Sequence, residues 1–369
     1  MLTRTITIAS GKPEVDKTTI SVNIALSLAA SGRRTCLFDA DPGLPGVNML
    51  LGLNPDHDLQ DVISGRRNLR DIIIRDYEGI DIVPAGTGLK KMAGLEKNQA
   101  KDLIQSFSEL DSYDFLIFDT PEDLSKETLS FCLASSEVTL IITPEPASLT
   151  DAYVLLKALS SNKFKGTVRI VVNQCRDISA GKLVYNKFNE ATQKHLPIHV
   201  TLLGIIVNDR KVAEAVQAKK PLVTLYPESN ASQCIKNTTK HLLESRPQES
   251  EDPDMVSFWT RWLHLTKSPL DLSVSRKAIA RQNPGSMGPS QEAGIGFLNK
   301  EEGIYPLLNG LVDSISSLSK ELQLLRNAVE DIRQENLTDN DKPTTKKDQS
   351  EPDPIILDFE HFSKNKRQL

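Results

Sequence analysis

The stretch Ser10-Gly11-Lys12-Pro13-Glu14-Val15-Asp16-Lys17-Thr18-Thr19 decides which fold the sequence predicts. An apolar run, residues 6–9, precedes it, and an amphipathic run, residues 20–30, follows it. A strand, a loop and a helix in this order are the setting of a phosphate-binding loop, whose pattern is G-x-x-x-x-G-K-[ST]. The stretch keeps the first glycine, the lysine and the threonine, and it has Asp16 where the second glycine is expected.

These departures concern the part of the loop that would meet phosphate. In a working loop, backbone N–H groups surround the phosphates, the lysine pairs with the outer phosphates and the hydroxyl binds Mg²⁺. Pro13 has no N–H to donate, and Glu14 and Asp16 bring negative charge to a site for anions. Two like charges about 4 Å apart repel by about 1 kcal/mol in water and by several in a shielded site. We therefore expect a loop that keeps its cationic residues and loses much of its phosphate-binding geometry.

Length and composition favour one large cytoplasmic domain with appendages. The chain has 369 residues, 39% of them apolar, and a net charge of −5. This acidic balance argues against nucleic acid as a partner. The four cysteines are scattered, as expected for free thiols in a reducing cytosol. The sequence has no signal-peptide pattern and no apolar span of about 20 residues.

Apolar runs suited to buried parallel strands recur along the chain, with helical patterns between them. This alternation predicts an α/β fold, a doubly wound and mostly parallel sheet. Ligands of such sheets bind at the carboxyl ends of the strands, where the polar motifs of this chain lie. The predicted strands are residues 4–9, 35–38, 80–83, 115–118, 138–143, 168–172 and 202–207.

Further motifs follow the loop in the order found in one family. Together with residues 10–19 they resemble the deviant Walker A ATPases of the MinD/ParA family. The segment Leu50-Leu51-Gly52-Leu53 resembles its FlhG branch of flagellar-number regulators. The resemblance implies a P-loop NTPase fold of SIMIBI type, which we assign to residues 1–248. The motifs are residues 39–48 (switch I), 119–125 (switch II), 171–176 (the adenine-side loop) and 204–225 (a late strand and helix).

The resemblance implies a nucleotide-binding role for each residue that matches a family motif. Lys12 corresponds to the signature lysine that reaches across a nucleotide-sandwich dimer, and Lys17 to the phosphate lysine. Asn173 would recognise adenine. The implied cofactor-binding set is Gly11, Lys12, Lys17, Thr18, Thr19 and Asn173.

The resemblance also implies a metal and a catalytic position. Thr18 would bind Mg²⁺ directly, Asp119 would hold it through water, and Asp41 would position the attacking water. In the family, switch II commonly has Ala-Gly where this chain has Glu122-Asp123, so acidic residues occur in both phosphate-contacting loops. We therefore expect a pseudo-ATPase with a vestigial Asp41 and no bound cofactor. The alternative is a site that still binds ATP and Mg²⁺.

An aromatic segment follows the predicted ATPase-like domain, and we assign it to residues 249–267. On a helix, Phe258, Trp259 and Trp262 share one face with Met255 and Leu263. Short aromatic helices of this kind lie in membrane interfaces, and relatives in the family carry one after the core. The acidic residues before this segment oppose binding to anionic lipid. The two hypotheses are a contact with the inner face of the plasma membrane and docking on the core.

The remainder of the sequence predicts a linker, a helix and a tail. Residues 268–303, which include the run Pro284-Gly285-Ser286-Met287-Gly288-Pro289-Ser290, are predicted to be a flexible linker. Residues 336–369 are predicted to be largely disordered. Between them, residues 304–335 have apolar residues at alternating spacings of three and four, as in a coiled coil. This helix would bind an unidentified protein partner or a second copy, or it would pack back on the core.

The sequence as a whole predicts a spatial regulator or scaffold of the MinD/ParA/FlhG type that places a flagellar or polar structure. It would act as a homodimer or as a heterodimer with an active paralogue. The alternative function is a dimeric switch ATPase that binds ATP and cycles on the membrane. A DNA-partitioning role is disfavoured by the acidic charge.

Overall fold

A single eight-stranded sheet organises the computed structural model, which describes residues 3–41, 43, 46–245 and 254–271. The strand order is β3-β4-β2-β5-β1-β6-β7-β8, and all neighbours are parallel except the β3–β4 pair. The predicted doubly wound, mostly parallel α/β fold is thus confirmed. The strands are β1 (Arg4–Ala9), β2 (Thr35–Asp39), β3 (Ile74–Tyr77), β4 (Ile80–Pro84), β5 (Phe115–Asp119), β6 (Glu137–Ile142), β7 (Thr167–Cys175) and β8 (Val200–Val207).

Helices cover both faces of the sheet, which explains why the central strands are apolar on both sides. In β2, for example, Leu37 belongs to one core cluster, and Cys36 and Phe38 belong to the other. The helices are α1 (Lys17–Ala30), α2 (Gly46–Leu51), α3 (Leu59–Ile63), α4 (Leu69–Ile72), α5 (Gly88–Met92), α6 (Lys97–Ser106), α7 (Lys126–Ala134), α8 (Pro146–Ser161), α9 (Ile178–His195), α10 (Arg210–Gln217), α11 (Leu222–Leu225), α12 (Asn230–Glu244) and α13 (Met255–Lys267), with a 3-10 helix at Phe107–Ser112.

The register of the central strands brings three polar segments to one edge. Ile8 of β1 pairs with Asp119 of β5, and Asp39 of β2 pairs with the same Asp119. The phosphate-loop stretch leaves β1 at this edge and enters α1 at Lys17. The candidate site therefore lies at the carboxyl ends of β1, β2 and β5, as the sequence predicts.

Helix α13 packs its aromatic face on the core, against α6, α7 and the 3-10 helix. Phe258, Trp259 and Trp262 are at most 1% exposed. The Phe258 ring stacks on Phe118 with centroids 4.6 Å apart, and the Trp259 ring stacks on Phe107 at 4.2 Å. The membrane role expected for these three side chains is therefore wrong for this structure, because the apolar face that would enter a membrane is buried. The alternative, docking on the core, is what the structure has.

Other expectations fall partly or wholly outside the described residues. The segment 304–335 and the tail 336–369 lie outside them, as does the linker from residue 272 onward. In the described part of the chain, no helix has the length and apolar character needed to span a membrane.

Candidate nucleotide site

Asp119 accepts hydrogen bonds from three side chains of helix α1, two of which belong to the phosphate-loop pattern. Its Oδ1 accepts hydrogen bonds from Lys17 Nζ at 2.7 Å and from Ser21 Oγ at 2.8 Å. Its Oδ2 accepts one from Thr18 Oγ1 at 2.7 Å. Lys17 and Asp119 are each 1% exposed, so this ion pair is sheltered from solvent. The predicted phosphate lysine and both predicted magnesium ligands thus lie together, bonded to one another.

The loop backbone is left-handed at two positions, where glycine would be favoured over the residues that this chain has. Glu14 and Asp16 have φ angles of 66° and 60°, in the left-handed region where glycine is usual. An L-residue there costs roughly 1–2 kcal/mol, somewhat less for aspartate. Gly11, by contrast, is required for packing, because a Cβ at this position would lie 2.4 Å from the backbone carbonyl carbon of Asp151.

Two amides at the end of β7 hold the loop in this conformation. Gln174 Nε2 donates to Asp16 Oδ2 at 2.7 Å and to the Glu14 carbonyl at 3.1 Å. Asn173 Nδ2 donates to the Val15 carbonyl at 3.0 Å and more weakly to Asp16 Oδ2 at 3.4 Å. The expectation that Asp16 adds its charge to the phosphate position is therefore wrong, because its carboxylate is directed to β7.

A cavity of about 540 Å³ lies beside these amides, where the resemblance expects the base. Asn173, the predicted adenine-reading residue, lines it together with Thr19. However, the Asn173 amide nitrogen is already bonded to the loop, so base recognition through it requires this contact to change. The other lining residues include Asp16, Ile20, Gln174, Asn208, Asp209 and Arg210.

Lys12, the predicted signature lysine, pairs within its own chain. Its Nζ lies 2.5 Å from Glu145 Oε2, at the start of α8. This hydrogen bond raises the pKa of Lys12, and the negative charges of Glu145, Glu14 and Asp151 also raise it. Because the Glu145 side chain is 60% exposed, the pair contributes little to stability and can open when a partner approaches.

Asp39 is a buried acid that the sequence analysis did not assign to the site. Its carboxylate accepts hydrogen bonds from the backbone N–H groups of Asp41 and Val47, both at 3.3 Å. Burial, followed by the negative charge of Asp119, raises the pKa of Asp39 to about 8. The sequence signal that could have assigned Asp39 to the site is its position at the end of a buried strand. Asp41, the predicted catalytic residue, accepts a hydrogen bond from the Gly43 N–H at 2.8 Å.

Glu122 approaches the loop from the segment after β5. Its side chain is half-buried. Burial raises the pKa of Glu122, and the charges of Asp119 and Asp41 raise it further, whereas Lys17 and the Glu14 N–H oppose this rise. The expectation that Glu122 lies at the phosphate position stays a prediction.

The residues present match a nucleotide-magnesium group only in part. Thr18 Oγ1 and Asp119 supply the oxygen ligands that Mg²⁺ prefers, and Lys17 supplies the charge for phosphate. The loop, in contrast, has no N–H to donate at Pro13. Fold and loop together define a P-loop NTPase-type domain.

Comparison with known proteins also places the chain among P-loop NTPase-type proteins. The sequence matches the AAA domain family over residues 3–169. The chain is 39% identical to the antiactivator FleN of Pseudomonas aeruginosa over 232 residues, which are 63% of this chain and 83% of FleN. It is 30% identical to the septum site-determining protein MinD of Bacillus subtilis, over 66% of this chain and 90% of that protein.

Other relatives and solved structures agree. The flagellum site-determining protein YlxH of Helicobacter pylori is 29% identical, over 71% of this chain and 90% of YlxH. The MinD structure with Mg-ADP from Pyrococcus horikoshii has a TM-score of 0.52 at 24% identity, over 65% of this chain and 96% of that one. This chain belongs to the MinD/ParA family of P-loop ATPases, in its FlhG-like branch.

Proposed function

We propose that this chain is a cytoplasmic spatial regulator of the MinD/ParA type, acting on a flagellar or polar structure without turning over ATP. The flagellar part of the proposal is supported by the likeness to FleN, an antiactivator, and to YlxH, a flagellum site-determining protein. The general role is supported by the likeness to MinD.

One observation carries the pseudo-ATPase part of the proposal: the charged groups that would meet nucleotide have partners inside the chain. Lys17 and Thr18 are bonded to Asp119, and Lys12 pairs with Glu145. Binding Mg-ATP would require several of these contacts to open. Because the loop also lacks the N–H donor at Pro13, less interaction energy is available to offset that cost.

Calorimetric titration of the purified chain with Mg-ATP tests this proposal. We expect no binding in the micromolar range and no phosphate release. Thr18→Val removes the hydroxyl that would bind Mg²⁺, and Lys240→Ala, an exposed change far from the site, is its control. Micromolar binding with phosphate release, both lost in Thr18→Val and kept in Lys240→Ala, would overturn the pseudo-ATPase assignment.

The second candidate is a dimeric switch that binds ATP. It is favoured by the survival of Lys12, Lys17, Thr18 and Asp119, three of which already lie within hydrogen-bonding distance of one another. In that case Thr18 and Asp119 would hold Mg²⁺, which neutralises phosphate charge. Appearance of a heavier species on adding Mg-ATP, measured by light scattering, distinguishes this candidate from the first.

We further propose that the partner is a second copy or an active paralogue, engaged through segment 304–335. This part of the proposal rests on the heptad spacing of the sequence alone.

A further inference from the structure

We propose that the cavity of about 540 Å³ at the end of β7 binds a guanine base, and that Asp16 is the residue that selects guanine over adenine. The family resemblance implies adenine at this place, whereas the acceptor groups of this chain favour a different base. Binding of a base here goes beyond the proposed function, because the cavity can be filled whether or not the phosphate loop binds or hydrolyses ATP.

The loop fixes the orientation of the two side-chain amides that line the cavity. The Val15 carbonyl can only accept a hydrogen bond, so the group of Asn173 that meets it at 3.0 Å is the amide nitrogen. The same holds for the Glu14 carbonyl and the Gln174 amide nitrogen, which are 3.1 Å apart. In a planar amide the oxygen lies on the branch opposite the nitrogen, so both amide oxygens are turned away from the loop carbonyls.

Three oxygen atoms of residues that line the cavity lack a donor. Among the residues that the structure describes, no N–H or O–H group donates to Asn173 Oδ1, Gln174 Oε1 or Asp16 Oδ1. Asn173 is 5% exposed, so water has little access to its oxygen, and a donor from a ligand would remove the cost of leaving it unpaired.

Asp16 keeps one carboxylate oxygen for a ligand because the other is already used. Its Oδ2 accepts hydrogen bonds from Gln174 Nε2 at 2.7 Å and from Asn173 Nδ2 at 3.4 Å. These contacts hold the carboxylate on the side of β7, where the cavity lies. With glycine at this position, as in the usual loop pattern, the cavity would have no carboxylate from the loop.

The remaining lining suits a flat heterocycle. Small-molecule sites are mostly apolar, with a few polar groups that fix the orientation of the ligand. Asp209, a second carboxylate at the cavity, is occupied, since its oxygens accept hydrogen bonds from the N–H groups of Lys211 and Ala231 at 2.9 and 3.3 Å. The apolar side chains of the lining include Ile20, Ile206, Val212, Leu222 and Ile235.

Guanine is the purine whose hydrogen-bonding edge matches these acceptors. Its N1–H and N2–H₂ groups present three protons side by side, whereas adenine presents only the two protons of its amino group, next to a ring nitrogen that is itself an acceptor. Adenine can therefore satisfy Asn173 Oδ1, but it leaves the Asp16 oxygen without a donor. Hydrogen bonds to a carboxylate are the stronger kind, so the bond that only guanine makes corresponds to a preference of about tenfold or more.

Calorimetric titration with guanosine and with adenosine tests the proposal. Nucleosides carry no phosphate, so the phosphate-binding groups of the loop do not contribute. We expect guanosine to bind about tenfold more tightly than adenosine to the wild-type chain. Asp16→Asn can still accept the hydrogen bond from Gln174, but it replaces the free oxygen by an amide nitrogen. Asp16→Gly removes the side chain altogether.

Both Asp16 variants should bind guanosine about tenfold more weakly and adenosine unchanged within about twofold. Glu14→Gln is the matched control, because it removes the same charge from an exposed side chain of the same loop that does not line the cavity. It should keep the preference for guanosine. Thermal unfolding of each variant shows that it is folded.

NMR spectroscopy locates the bound nucleoside. In the wild-type chain, guanosine should shift the side-chain NH₂ signals of Asn173 and Gln174, which line the cavity. The NH₂ signal of Gln233, which is bonded to the Pro227 carbonyl outside the cavity, should not move.

Three results would overturn the proposal: equal affinity for the two nucleosides, no binding of guanosine at about millimolar concentration, or a guanosine preference that survives in both folded Asp16 variants. Shifts at Gln233 without shifts at Asn173 and Gln174 would also overturn it, because the nucleoside would then bind elsewhere. The pseudo-ATPase assignment is decided separately by the titration with Mg-ATP, so each of the two can fail without the other.

Discussion

Asp39 shows at the residue scale how the fold sets the charge of the site. It is 1% exposed and lies near Asp119 and Asp41, whose negative charges oppose its ionisation, while Lys17 favours it. Burial is the largest cause of its raised pKa, about 8 against an ordinary 3.8. At neutral pH the folded chain therefore holds a proton on Asp39 that the unfolded chain has released.

Stability should consequently depend on pH through Asp39. A carboxyl group whose pKa is raised by folding contributes its full stability below the unfolded value and loses it as pH rises toward the folded value. The free energy of unfolding should therefore fall between about pH 5 and pH 8, and less steeply in Asp39→Asn, which cannot ionise. Urea denaturation of both chains across this range checks the slope. Parallel curves would show that Asp39 ionises normally in the folded chain.

Asp16 makes the second residue-scale prediction, because its charge is directed away from the phosphate position. Asp16→Gly removes the hydrogen bond from Gln174 and also the left-handed strain at φ 60°, so the change in stability should be small. Restoring this glycine of the pattern should leave the affinity for Mg-ADP unchanged within about twofold. Calorimetry of the wild-type chain and Asp16→Gly makes the comparison. A tenfold gain in Asp16→Gly would instead assign the defect to the loop.

At the scale of elements, α13 is tied to the core by ring contacts rather than polar ones. Trp259 stacks on Phe107 and meets Phe118 edge-on at 5.9 Å. The indole N–H groups of Trp259 and Trp262 have no hydrogen-bond partner within the described residues, which reduces the net gain from burial. The docking of α13 therefore rests on apolar area and close packing.

Truncating the aromatic face should accordingly destabilise the chain. Trp259→Ala should cost about 3–5 kcal/mol, because it removes buried apolar surface and leaves a cavity. Arg261→Ala, on the exposed side of the same helix, should change stability by less than about 0.5 kcal/mol. Urea denaturation followed by circular dichroism measures both. An equal loss in the two variants, or none in either, would contradict the docked arrangement.

The same burial predicts that the folded chain does not bind anionic liposomes through Trp259 and Trp262. Both tryptophans of the sequence lie on α13, so their fluorescence reports directly on this helix. In liposome sedimentation the chain should stay in the supernatant, and its emission maximum should not move. Sedimentation with lipid that is lost in Trp259→Glu would indicate that α13 leaves the core.

Long elements could be predicted from the sequence, and short ones could not. The seven predicted strands match β1, β2 and β4 to β8 because each is a run rich in apolar residues. Strand β3, with a partly exposed pattern over four residues, and the short helices α2 to α5 carry too few residues for a period to stand out. For α13 the apolar face could be predicted from the sequence. Whether this face packs on the core or enters lipid depends on the apolar surface that α6, α7 and the 3-10 helix present, which the sequence pattern does not show.

The candidate site, too, could be predicted from the sequence only in part. Motif order placed Lys17, Thr18 and Asp119 together at the strand ends, and the structure brings them within hydrogen-bonding distance. The directions of the side chains were not predictable, since Asp16 turns toward Gln174, which is 158 residues away in the sequence. The burial of Asp39 likewise depends on helices that the sequence pattern did not predict.

For the whole molecule, these contacts predict an assembly state that does not respond to nucleotide. In a nucleotide-sandwich dimer the signature lysine reaches across to the partner's phosphates, but Lys12 is paired with Glu145. Self-association should then depend on the heptad-spaced segment 304–335 alone.

We expect the full chain to have the mass of a dimer with or without Mg-ATP, and a chain ending at residue 303 to be a monomer. A chain ending at residue 335, which loses only the tail, is the matched control. Light scattering at several concentrations measures these masses. A dimer that persists without segment 304–335, or one that requires Mg-ATP, would show that the ATPase-like domain mediates dimerisation. Either result would favour the ATP-binding dimeric switch as the function.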